Sequence, residues 1–144
     1  MDRFSWILSQ IQSTDTVMHI GCCGDEWHFD KTWKEGRSLH ARLRDLVGNQ
    51  NLIGTDINKG RLGDMRQMGY EVLFGNVEGM NLFEGTHFDE PVEPGIRKVD
   101  VVVAGEIIEH LSNVGRFLDS VGDCIKTDGR LILTTPNAYG FWFQ

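Results

Sequence analysis

Thr16-Val17-Met18-His19-Ile20-Gly21-Cys22-Cys23-Gly24-Asp25 is a short apolar run cut by glycine and continued as a turn-rich loop. Such a run bounded by turn residues predicts a buried strand, and Gly21 stands where the backbone must turn sharply and meet a ligand with no Cβ in the way. Gly24 gives a second permissive point. The next periodic segment carries Leu39, Leu43, Leu46 and Val47 at helical spacing behind Ser38, a good N-cap. Leu52-Ile53-Gly54-Thr55-Asp56-Ile57 then reads as a second strand with a carboxylate at its end, and Asn58 caps a helix with Leu62, Met65 and Met68, stopped by Gly69. Strand, loop, helix, strand is the beginning of a βαβ series.

Upstream, Phe4, Ile7, Leu8 and Ile11 predict an amphipathic helix from Asp2 to about Ser13. Downstream, Tyr70-Glu71-Val72-Leu73-Phe74 and Lys98-Val99-Asp100-Val101-Val102-Val103-Ala104 read as third and fourth strands, the valine run suiting a strand covered on both faces. Residues 84–97 between them are acidic and carry Pro and Gly, as a surface loop does. Val114 to Ile125 predicts a helix with Phe117, Leu118, Val121 and Ile125 on one face, and Gly129 to Thr135 a fifth strand before Pro136. The expected fold is therefore α/β, a Rossmann-like parallel sheet with right-handed crossovers and helices on both faces. Ligands of such sheets bind beyond the carboxyl ends of the strands, where the strand order reverses.

The 144 residues suffice for one domain, and a composition 40% hydrophobic and 24% charged is that of a folded globular chain. A net charge of -7 argues against phosphate backbones or anionic lipid as partners and for a small-molecule acceptor. No apolar run reaches the roughly 20 residues of a membrane span and the first residues lack a signal-peptide layout, so no membrane partner and a cytoplasmic location are expected. Cys22, Cys23 and Cys124 have no C-x-x-C spacing and are expected to be reduced.

The order of these segments resembles the class I S-adenosylmethionine-dependent methyltransferases, in particular their small-molecule and quinone O-methyltransferase-like branch, over residues 16–137. Residues 17–25 resemble the glycine-rich first motif, Gly54-Thr55-Asp56-Ile57 the ribose-binding second, and Gly75-Asn76-Val77-Glu78 the adenine-binding third. Residues 99–111 resemble the fourth strand with its following motif, and residues 128–137 the fifth. The resemblance implies S-adenosyl-L-methionine as cofactor. It implies that the Gly21 loop, with His19 and Cys22, lies against the methionine part and Asp25 near its amino group. It further implies that Asp56 holds the ribose, that Ile57 packs on the adenine face, that Asn76 and the Val77 backbone meet the adenine edge, and that Ala104 and Gly105 border the cofactor. The family carries an acidic residue where His19 stands and an aspartate where Asn76 stands. Its sheet has seven strands, of which about five are expected here, so a homo-oligomer or a second chain covering the sheet edge is a possible partner.

Glu106, Glu109 and His110 have i, i+3 and i+4 spacing, and a helical turn beginning at Gly105 would gather them on one face. Three readings stand side by side: a structural Glu109–His110 pair, a histidine base for a hydroxyl acceptor, or a magnesium site of the E-x-x-E-H kind that some quinone O-methyltransferases carry. Asn137, after the fifth strand, is the candidate acceptor contact. Trp27 and Trp33 read as core or as a cover over the cofactor; His28, His40 and His87 read as loop or surface residues. The competing function is a noncatalytic cofactor- or partner-binding domain. A dehydrogenase is disfavoured because residues 21–26 do not form G-x-G-x-x-G.

Overall fold

Val101, Val102 and Val103 are all fully buried, as only a strand covered on both faces allows. In the computed structural model, which describes residues 2–24, 38–79 and 98–136, they lie in β4 (Val99–Gly105). The other strands are β1 (Val17–Ile20), β2 (Leu52–Asp56), β3 (Val72–Phe74) and β5 (Ile125–Thr134). Their order in the sheet is β3-β2-β1-β4-β5 and every pairing is parallel. β1 is thus the hinge of the topology. The chain runs outward through β2 and β3 on one side, then returns to lay β4 along the other, Val17 beside Val101 and Ile20 beside Ala104.

Side-chain alternation along the strands splits the core. On one face Val17, Val101 and Val103 pack with Leu39, Leu43 and Val47 of α2 (Leu39–Val47) and with Ile7 of α1 (Arg3–Ser9). The same face continues over β3, where Val72, Cys22 and Tyr70 meet Leu62 and Met65 of α3 (Lys59–Gln67). On the other face Met18, Ile20, Val102 and Ala104 receive Phe117, Val121 and Cys124 of α4 (Val114–Cys124). Among the described residues Asp2, Ser38, Asn58 and Asn113 cap α1 to α4 in turn, each side chain accepting from the backbone N–H three residues on. At the amino ends of the strands, Asp100 accepts from Thr16 N and Thr16 Oγ1 (2.9 and 2.6 Å) and from Lys126 Nζ (2.8 Å), tying β1, β4 and β5 together opposite the ligand end.

Four expectations are corrected. α1 ends at Ser9 rather than Ser13, where Ser9 Oγ donates back to Trp6 O and Gln12 N turns onto Asp15; Ile11 still reaches the core. Met68 and Leu118 are 44% and 49% exposed, because the buried stripes pass through Leu62 and Met65 in α3 and through Phe117, Ser120, Val121 and Cys124 in α4. β5 begins at Ile125, which adopts extended backbone instead of ending α4 and pairs with Val99 before a register shift. The helical turn expected at Gly105 does not form: Glu106 has φ 54, in the left-handed region, and only a 3-10 turn at Ile108–His110 follows. Among the described residues no helix is long and apolar enough to cross a membrane.

Candidate functional site

The carboxyl ends of β1, β2 and β4 border one cleft of about 760 Å³, placed where β1 separates the two directions of the strand order. Its floor is the loop after β1. Gly21 takes φ 73, and its N–H and that of Cys22 both donate to Thr55 O (2.9 and 3.2 Å), so the loop folds over the end of β2. A Cβ on Gly21 would stand 3.4 Å from Ile107 Cδ1 in a conformation that L residues avoid, so glycine keeps this wall open.

Asp56 locks the loop to the second strand. One carboxylate oxygen accepts from Cys23 N and the other from Asn58 N, both at 3.0 Å. The helix cap is Asn58, which accepts from Arg61 N, so Asp56 is not serving as that cap. A carboxylate oxygen has two lone pairs, and each oxygen keeps acceptor capacity toward the cleft that Asp56 lines. Across the cleft Asn76 accepts from Glu78 N through Oδ1 (3.0 Å), a local turn that sets its side chain. Ile57 is 66% exposed at the rim, an apolar surface presented to the cleft. Thr55 Oγ1 is buried beside the loop and, among the described residues, has no hydrogen-bond partner.

His19, Gly21, Cys22, Asp56, Ile57, Asn76, Val77, Gly105, Glu106, Glu109 and His110 all border this cleft. Ala104 does not: it is fully buried against α4. Asp25, Asn137, Trp27, Trp33, His28 and His87 lie outside the described residues. His40 is no surface residue. It is 1% exposed, and its Nδ1 lies 3.1 Å from His19 Nδ1 with the rings stacked at 5.3 Å. Burial lowers both histidines, His19 to about 4, which keeps the rings neutral so that one Nδ1–H can donate to the other's bare nitrogen.

Glu106, Glu109 and His110 share the cleft without converging. The left-handed Glu106 turns its carboxylate to an ion pair with Arg3 of α1, while His110 Nε2 stays 4.0 Å from Glu109 Oε1. Glu109 Oε2 reaches Thr135 Oγ1 only at 3.5 Å. Sequence reading missed the contribution of α1, whose Arg3 and Phe4 border the cleft, and that of Glu78, which accepts from Asn113 N at the start of α4. No local pattern marks either, since both arise from packing between distant segments.

No protein-family model and no curated protein sequence matches the chain. Solved structures do resemble it in fold. Coclaurine N-methyltransferase bound to N-methylheliamine and S-adenosylhomocysteine superposes with a TM-score of 0.59 at 15% identity, over 90% of this chain and 34% of that one. The glycopeptide N-methyltransferase MtfA complexed with S-adenosylhomocysteine gives 0.58 at 13%, over 90% and 48%. An S-adenosylmethionine-dependent methyltransferase from Clostridium acetobutylicum gives 0.54 at 12%, over 90% and 48%. The fold is thus that of Rossmann-like methyltransferase structures, of whose length this chain spans between about a third and a half.

Proposed function

We propose that the chain binds S-adenosylmethionine in the cleft at the ends of β1, β2 and β4 and transfers its methyl group to a small-molecule hydroxyl acceptor. The observation that carries this reading is Asp56, a carboxylate fixed by two backbone donors at the end of the second strand and facing a cleft floored by a left-handed glycine loop. The cleft volume falls within the range of small-molecule sites. Thr55 Oγ1 leaves one buried polar atom for a ligand to satisfy. Gly21, Cys22 and Asp56 would hold the methionine and ribose parts, and Ile57, Asn76 and Val77 the adenine.

The bound cofactor supplies an electrophilic methyl on a sulfonium, so the protein's task is mainly to align the acceptor and exclude water. His110, exposed and bordering the cleft, would serve as the base for the hydroxyl proton. Magnesium is not assigned to Glu106, Glu109 and His110, because Glu106 is engaged by Arg3 and the three groups do not gather.

Titration calorimetry with S-adenosylmethionine and with NAD tests the reading, followed by a transfer assay against hydroxyl and amine acceptors. Binding of S-adenosylmethionine is expected, with Asp56→Ala weakening it by about 1.5–3 kcal/mol, the range for hydrogen bonds to a charged group. NAD binding without S-adenosylmethionine binding would sink the proposal. Cofactor binding with no transfer to any acceptor would favour the noncatalytic domain, and transfer only to amines would replace the hydroxyl acceptor.

A further inference from the structure

The reading above takes Cys22 only as a residue bordering the cofactor and gives no role to the thiol of Cys22 or of Cys23 in the loop after β1. Cys22 Sγ, Cys23 Sγ and an oxygen of Asp56 all lie within 4.8 Å of one another, the one such group of three potential metal ligands among the described residues. Two adjacent side chains normally diverge. Here they converge because the loop doubles back over β2 at Gly54, whose missing Cβ makes room: an atom there would stand 2.8 Å from Cys22 Sγ and 2.8 Å from His40 Cε1. Met65 Sδ lies 3.7 Å from Cys23 Sγ, adding a thioether to the same buried pocket.

We propose that Cys22, Cys23 and Asp56 form a binding site for one soft d10 metal ion of the zinc and cadmium class. Bonds of about 2.3 Å to sulfur and about 2.0–2.2 Å to carboxylate oxygen need donors somewhat closer together than 4.8 Å, a change within reach of side-chain rotation. Two thiols and a nearby thioether select a soft ion over magnesium or calcium. On binding, the two S–H bonds break, two metal–sulfur bonds form, and two protons leave to solvent, with no oxidant or reductant involved. The ion would also engage the carboxylate assigned above to the ribose. On that reading, which this consequence alone requires, metal and cofactor exclude one another.

Cadmium titrated into the reduced full chain is expected to give the ultraviolet thiolate-to-metal absorption at one equivalent, with two protons released in weakly buffered solution. Zinc in excess should compete with it for the site and magnesium should not. Cys22→Ser and Cys23→Ser should each abolish the stoichiometric absorption and Asp56→Asn should weaken binding, while Cys124→Ser leaves it unchanged. Circular dichroism checks that each variant folds, and the Cys23 variant decides the matter if the Cys22 variant does not. No absorption at one equivalent, or absorption that survives Cys23→Ser, would overturn the site. Simultaneous binding of metal and S-adenosylmethionine with unaltered affinities would remove Asp56 from it. If the cofactor fails to bind even without metal, the proposed function fails while the absorption and proton release still decide the site.

Discussion

His19 and His40 sit back to back between β1 and α2, with Tyr70 tilted against the His40 ring and Arg44 adding positive charge nearby. Protonating both would leave two donors facing each other in a buried space. Their folded-state pKa values are depressed, so the unfolded chain binds protons more readily. The stability they contribute is present above about pH 6.5 and is lost as pH falls toward 4, for His19 on the order of 3 kcal/mol. Urea unfolding followed from pH 7 to pH 4 should show this slope, His40→Gln should reduce it and the double variant His19→Gln/His40→Gln should reduce it most; an unchanged slope in the double variant would show that other groups carry the acid sensitivity. His110 belongs to the other kind of histidine, exposed at the cleft. His110→Ala is expected to lower turnover while leaving S-adenosylmethionine affinity nearly unchanged, and to remove a limb of the pH–rate profile. Full activity at every pH would leave the Glu109–His110 pair a structural one. Sequence could mark His19, Asp56 and His110 because each lies at the carboxyl end of a strand or just beyond it. It could not show that His19 faces His40, since that contact joins residues on separate elements.

At the scale of elements, period and capping carried most of the information. Ser38 and Asn58 announce their helices, and the valines of β4 announce a central strand. Where two neighbours in sequence are both apolar, as Phe117 and Leu118 are, period alone does not say which one faces the sheet. α4 shows this most clearly: Phe117 is fully buried and Leu118 about half exposed. Phe117→Ala should destabilise the fold by about 3–5 kcal/mol, whereas Leu118→Ala should cost well under 1 kcal/mol. Thermal or urea unfolding of the two variants distinguishes them, and equal losses would mean that the helix is rotated. The turn after β4 was illegible for a different reason. The spacing of Glu106, Glu109 and His110 suits a helix, but Glu106 is drawn into left-handed backbone with its carboxylate paired to Arg3, a partner from the opposite end of the chain.

For the whole molecule, the parallel sheet follows from the alternation of strands and helices, and the reversal of strand order about β1 fixes where a ligand can sit. Composition and charge did not reveal one wall of the cleft, because it is assembled from α1, the turn after β4 and Pro136, segments far apart in sequence. The junction of β1 with β4 has a further effect, on folding time. Thr16 and Asp100, tied at its base, are 84 residues apart in sequence, whereas β1, β2 and β3 succeed one another along the chain. Closing that long loop is entropically the slower event, so β4 should dock after the first three strands have paired. During synthesis the ribosome would release a half-sheet that still has no crevice. Stopped-flow refolding should therefore recover cofactor binding only in the slowest phase, and recovery ahead of β4 docking would show that the crevice assembles by another route. A ligand that arrives early has nothing to hold, so it can reward completed folding but cannot guide it.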